Sequence, residues 1–189
     1  MLEEEIGEIL KEKKLRIATA ESCTGGGLAD KITNVSGSSD YFERGFVTYS
    51  VKAKEENLGV DPEIIEKFGV VSNETAVAMA EGVKNVSRVG IGIGITGIAG
   101  PSGGSKEKPV GTVCIGISGR KTVVKTFHFK GSRTEIKNKA ADEALKMLKD
   151  YLVNLHNNDV TMNSHEDIND EKIRKNNRLS QVVKTQVNL

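Results

Sequence analysis

The sequence predicts an α/β domain, a three-layer αβα sandwich around a mixed, mostly parallel central sheet. Apolar runs of strand length alternate with stretches of helical periodicity along the chain, the pattern of a layered α/β fold. Gly, Ser, Thr or Asp stands at the junctions between them, as helix starts and stops require. A late pair of apolar runs, separated only by Gly119-Arg120, reads as a hairpin and makes the sheet mixed rather than fully parallel. One domain is expected over residues 1–156. A polar tail is expected over 157–189, where Asn and alternating charges replace large apolar residues, and such a composition predicts poor order.

In chain order, Leu2, Ile6, Ile9 and Leu10 fall at helical spacing and predict an amphipathic helix over Leu2–Lys13. Leu15–Ala20 reads as a short buried strand, and Ser22 or Thr24 as the cap of a helix over Gly25–Ile32. Gly37 to Asp40 make a turn, and Phe46–Tyr49 a second strand. Ser50 caps a helix that runs to Leu58 and stops at Gly59. Asp61-Pro62 starts a short helix with proline at its first position, where the missing N–H costs nothing. Ser72 caps a longer helix with Ala76, Met79, Ala80 and Val83 on one face. Val89–Thr96, apolar and alternating with glycine, predicts a central strand approached closely by neighbouring backbone. Gly97–Lys108 is a long Gly-, Ser- and Pro-rich loop, and loops of that length are usually functional. The hairpin strands Val110–Ser118 and Lys121–Phe129 follow, then a helix over Thr134–Leu155 capped by Ser132.

Composition excludes several function classes. The net charge of +1 provides no field to steer nucleic acid or a membrane surface. Trp is absent and aromatics are few, which argues against base-stacking platforms. The chain opens on a charged amphipathic segment rather than a secretory leader, and no apolar run reaches the length of a membrane span. A cytoplasmic protein with Cys23 and Cys114 as reduced, buried thiols is therefore expected.

Three polar clusters stand at predicted strand ends, where open α/β sheets place their sites. The first is Thr19-Ala20-Glu21-Ser22-Cys23-Thr24-Gly25-Gly26-Gly27. Its glycines admit a ligand to the backbone, and a helix start offers N–H groups to an anion; equally, such residues often only cap a helix. No histidine lies near Cys23 in the sequence to activate it, so it reads as buried and inert. The second cluster runs from Ser38-Ser39 through Tyr49-Ser50 to Lys54. Lys54 lies one turn past Ser50, so its amine can fold back to the strand end. A lysine kept neutral by burial can serve as the base for a serine that attacks an amide. Composition alone would make the same lysine a solvated side chain on a charged helix. The third is Thr96-Gly97-Ile98-Ala99-Gly100-Pro101 with Gly103-Gly104 and Lys108-Pro109, a loop whose N–H groups could hold an oxyanion or a phosphate. Arg133, at the start of the last helix, could grip a phosphate or carboxylate. His128, His156 and His165 are scattered, and no pair has metal-ligand spacing; no cofactor or metal is expected.

In this order the clusters resemble the CinA C-terminal domain family, over roughly Leu2 to Tyr151. The resemblance is carried by Thr19-Ala20-Glu21-Ser22-Cys23-Thr24-Gly25-Gly26, Gly37-Ser38-Ser39, Phe42 to Ser50 with Ala53-Lys54, and Gly97 to Pro101 with Lys108 to Val113. It implies the αβα fold, usually in a homodimer or higher homo-oligomer. It also implies a metal-independent Ser/Lys amidohydrolase that converts nicotinamide mononucleotide to nicotinic acid mononucleotide and ammonia. Carried over by position, Lys54 would be the general base, and Tyr49, Ser22, Ser39, Thr96 and Arg133 would line the site; Thr24, Gly25, Gly97 and Gly100 join the expected substrate contacts. Two serines compete as nucleophile. The reading leans to Ser39, in a free turn that could face Lys54, over Ser22, whose place beside a helix start suits substrate phosphate.

The nucleotide-processing domain that precedes this one in full-length family members has no counterpart in the sequence, so its pyrophosphatase activity is not carried over. Three other readings stand beside the amidase: a non-enzymatic accessory protein of competence or DNA damage, an amidase of another pyridine or nucleoside amide, and a member that has lost its activity.

Overall fold

The structure is a computed structural model, and it describes residues 1–155; the tail expected over 157–189, with His156 and His165, lies outside the described residues. The elements are α1 (Leu2–Glu12), β1 (Ile17–Glu21), α2 (Gly27–Thr33), a single 3-10 turn (Ser38–Asp40), β2 (Phe42–Val47), α3 (Val51–Leu58), α4 (Pro62–Phe68), α5 (Asn73–Ser87), β3 (Ile91–Gly97), β4 (Thr112–Ser118) and β5 (Thr122–His128). A last helix, α6, covers 133–155. By contacts the chain divides into two units, Met1–Lys149 and Asp150–Leu189. Every described strand lies in the first, and the described part of the second is the end of α6.

The five strands form one sheet in the order β2-β1-β3-β4-β5. β1 pairs in parallel with both β2 and β3, whereas β4 runs antiparallel between β3 and β5. β5 therefore points the same way as the first three strands, so four of the five share one direction. The expected αβα sandwich with a mixed, mostly parallel sheet is present.

The layers follow from the alternation of side chains along each strand. Ala18 and Ala20 of β1 join Met79 and Val83 of α5, with Leu58, Val60 and Ile65, in one core cluster. Glycines let α5 lie against the sheet itself. A methyl group at Gly92 would stand 2.1 Å from the Ala80 carbonyl oxygen, and one at Gly94 would stand 2.3 Å from that of Ala76. No Cβ fits there, which is why the expected strand alternates isoleucine with glycine. Thr19 faces the other side, where a methyl at Gly45 would touch both Thr19 and Ala29 of α2. Lys31 of α2 bridges to Asp142 of α6 at 2.9 Å, and Glu5 of α1 pairs with Lys149 of α6. Thus α1, α2 and residues 133–149 of α6 lie on one face, and α5, backed by α3 and α4, covers the other.

Most helix signals fall where the sequence places them. Ser50, Asp61 and Ser72 each accept a backbone N–H as caps, and Gly59 closes α3 with φ +66. Ser132 and Glu135 cap the start of α6 reciprocally. Two expectations are corrected. β2 begins four residues earlier than expected, at Phe42, because the polar run Glu43-Arg44-Gly45 is an edge strand that can face solvent. The start of α2 is not capped by Ser22 or Thr24; the carboxylate of Glu21 accepts from the N–H groups of Gly26, Leu28 and Ala29 at 3.1, 3.0 and 2.8 Å.

Candidate active site

The parallel strands end together. Glu21 of β1 pairs with Val47 of β2 and with Ile95 of β3, so Ser22 and Thr48, just after β1 and β2, gather with the last residues of β3, Thr96 and Gly97, at one end of the sheet. Lys54 reaches this end from the first turn of α3. Ser50 fixes that turn by accepting the Ala53 N–H at 3.0 Å. Side chains in a helix lean toward its N-terminus, so the lysine projects back over the end of β2.

There its amine meets three oxygens: the Thr48 carbonyl at 2.7 Å, Ser22 Oγ at 3.2 Å and the Tyr49 carbonyl at 3.4 Å. Lys54 is wholly buried and none of these partners is charged. Burial holds its pKa below the ordinary lysine value, opposed by a smaller effect of neighbouring Cys23. The amine donates to all three oxygens; when it is neutral, two N–H groups suffice for the carbonyls and a lone pair can turn to the Ser22 hydroxyl.

Above Ser22 opens a pocket of about 330 Å³. Ser22, Tyr49, Thr96, Gly97, Gly100 and Arg133 line it, with Cys23, Val70, Ile98, Ala99, Ser102 and Gly103. The Thr96 hydroxyl donates to the Val70 carbonyl at 2.8 Å and ties the end of β3 to the turn before α5. A side chain at Gly97 would collide with Val113 and crowd Cys23, and Gly100 sits at φ +75 against Val110. The loop is pinned at its base, where the Ile98 N–H donates to Thr112 and the Gly111 N–H donates to Ile98. Arg133 spans the mouth of the pocket. One guanidinium nitrogen donates to the Gly100 carbonyl at 2.7 Å and the other to the Tyr49 hydroxyl at 2.9 Å.

Cys23 also touches the pocket, but burial and nearby Glu21 push its thiol up to about 12, so it stays protonated and unreactive at neutral pH. Both cysteines are free and buried. Among the described residues no group of three His, Cys, Asp or Glu side chains could hold a metal ion.

The site thus collects Ser22, Lys54, Tyr49, Thr96, Gly97, Gly100 and Arg133. Ser39 is not with them, and the preference for it as nucleophile is corrected. It lies in the turn before β2, beside the start of β1, whereas Lys54 stands beyond the end of β2. The six residues of β2 put roughly 17 Å between the two levels. The anion site expected at the α2 start is likewise filled, because Glu21 takes those N–H groups. Thr24 is buried with its hydroxyl unpartnered among the described residues. Gly25, at φ +64, lies against Lys137 of α6. Sequence reading missed the Thr48 carbonyl, Val70 and the capping role of Glu21. For Glu21 a signal existed: a carboxylate at a strand end followed by a glycine-rich helix start.

The chain matches the model of the CinA C-terminal domain over residues 1–152. It belongs to the CinA C-terminal domain family. Every site residue from Ser22 to Arg133 falls inside that match. A CinA-like protein of Syntrophobacter fumaroxidans is 50% identical over 159 residues, which cover 82% of this chain and 38% of that protein. A CinA-like protein of Chlorobium limicola is 48% identical over 80% of this chain and 37% of its own length. The chain therefore spans less than two fifths of these CinA relatives. Among solved CinA-type structures, the competence/damage inducible protein CihA from Agrobacterium tumefaciens is 42% identical with TM-score 0.76, covering 78% of this chain and 91% of its own. A CinA superfamily protein from Klebsiella pneumoniae is 30% identical with TM-score 0.78, covering 81% and 96%. No described helix is long and apolar enough to cross a membrane.

Proposed function

We propose that the chain is a nicotinamide-nucleotide amidase, hydrolysing nicotinamide mononucleotide to nicotinic acid mononucleotide and ammonia with Ser22 as nucleophile and Lys54 as base. The observation that carries this reading is the 3.2 Å contact between the Lys54 amine and Ser22 Oγ, in a site where the amine is fully buried without a counter-charge. The choice of substrate rests on the resemblance to family amidases.

In the first half-reaction neutral Lys54 takes the Ser22 proton as the oxygen attacks the amide carbon. Ala99, Gly100, Ser102 and Gly103 border the pocket, and backbone N–H groups among them would hold the developing oxyanion. Lys54 then returns its proton to the departing nitrogen, and ammonia leaves. In the second half-reaction Lys54 deprotonates a water that attacks the acyl-serine ester, releasing the acid and restoring the serine. Thr48 and Tyr49 carbonyls keep the amine aimed during both steps. Tyr49, held by Arg133, covers the substrate from the open side. Burial tunes the base, since an ammonium at that position could not accept a proton.

Ammonia release from nicotinamide mononucleotide in the presence of EDTA tests the reading, with Lys54→Ala and Ser22→Ala as controls. Release by the unaltered chain alone supports it. Equal release by Lys54→Ala sinks the lysine-base mechanism, and no release from any folded sample sinks the amidase.

A further inference from the structure

Phosphate binding at the start of α2 is ruled out by Glu21, which accepts the Gly26, Leu28 and Ala29 N–H groups. Arg133, the cation that lines the pocket, already donates through both terminal nitrogens to Gly100 and Tyr49. A phosphate monoester carries close to two negative charges at neutral pH, so a nucleoside monophosphate bound at Ser22 calls for a second cation beside Arg133. One helical turn beyond Arg133, on the same face of α6, stands Lys137. It is half-buried, and among the described residues it takes part in no ion pair. A methyl group at Gly25 would lie 3.4 Å from its amine. Gly25 in turn closes a tight turn on the nucleophile, its N–H donating to the Ser22 carbonyl at 3.1 Å. Such a turn holds its end Cα atoms within about 7 Å.

We infer that Lys137 is the phosphate anchor of the substrate site, a specificity-determining residue that selects a nucleotide over its nucleoside. The inference rests on the proposed amidase for the class of substrate, but the placement of the cation does not depend on the reaction. Several features fit the role. An ammonium on a flexible stem suits a phosphate as a point charge. Gly25, without a side chain, leaves the amine open to the turn that carries Ser22. Arg133 is tied to Gly100 and Tyr49 on the neighbouring wall, while among the described residues Lys137 forms no ion pair.

The test uses ribose 5-phosphate and ribose as probes, which carry no amide. Binding is followed by NMR titration of the unaltered chain, Lys137→Ala and Lys137→Arg, each shown folded by circular dichroism. Expected is binding of ribose 5-phosphate but not ribose by the unaltered chain, a loss of tenfold or more in Lys137→Ala, and recovery in Lys137→Arg. Unchanged affinity in Lys137→Ala overturns the anchor, as does failure of the unaltered chain to prefer the phosphorylated sugar. Ammonia assays run alongside separate the two claims. Equal KM for nicotinamide mononucleotide and nicotinamide riboside would remove the anchor and leave the amidase. Lysine-dependent binding of ribose 5-phosphate with no ammonia from either substrate would remove the amidase and leave the anchor.

Discussion

The Lys54 amine lies nearer to the Thr48 carbonyl, at 2.7 Å, than to Ser22 Oγ, at 3.2 Å. Backbone, not a carboxylate, therefore orients the lysine. Aim is set without an anion, which would stabilise the ammonium and spoil the base.

Activity and stability should respond to this in the same pH range. For a lysine whose folded pKa is depressed, the unfolded chain binds more protons between the depressed value and the ordinary 10.5. Stability then rises with pH through that window. In Lys54→Met the rise disappears, as urea midpoints measured from about pH 7 to about pH 9.5 would show. For the unaltered chain, kcat/KM for amide hydrolysis rises with pH and reaches its plateau below the ordinary lysine value.

The two serines make the sharpest contrast. Ser22→Ala should lower kcat on the order of 10³-fold or more, as loss of a nucleophile does. Ser39→Ala, at the opposite end of the sheet, should keep kcat within about threefold. A result the other way round would return the nucleophile to Ser39.

Arg133 and Tyr49 act on each other, so their substitutions should not add. Arg133→Ala frees both the Tyr49 hydroxyl and the Gly100 carbonyl, and a loss of roughly 10²-fold in kcat/KM is expected. Once Arg133 is gone, Tyr49→Phe should cost little more, so the double variant loses less than the sum of the two single losses in a double-mutant cycle. Arg133→Lys should restore little, because an ammonium cannot reproduce the two-directional fork.

Glu21→Gln should destabilise the fold by about 1–3 kcal/mol, since an amide cannot accept all three N–H bonds now made. The measurement is chemical denaturation, and a change below about 0.5 kcal/mol would argue against the capping role.

The fold was legible because its signals are local. Ser50, Asp61 and Ser72 announce helix starts, and the Ile-Gly alternation of 91–97 announces a strand pressed by a helix on one face. The lysine was legible for a similar reason, since a helix one turn past a strand end must point its first side chains back. The serine that meets it was not. Ser39 and Ser22 both lie in glycine-containing turns, and only the parallel pairing of β1 with β2 shows that one turn is at the start of the strands and the other at their end. That pairing joins residues about 25 apart, and no local pattern encodes it. Glu21 is a different case: its signal is local, a carboxylate at a strand end before a glycine-rich helix start, but Ser22 and Thr24 beside it are the more familiar caps and drew the assignment.

The loop after β3 leaves and re-enters the sheet at the same point, where Ile98 is bonded on both sides to Thr112 and Gly111. Its two ends are held by the hairpin strand rather than by the residues between them. Lengthening such a loop costs little, about 0.6 kcal/mol for each doubling. The segment that walls the pocket can therefore change length and sequence across relatives while the serine and lysine beneath it stay put. The wall of the pocket can thus be rebuilt without disturbing the serine–lysine contact at its floor.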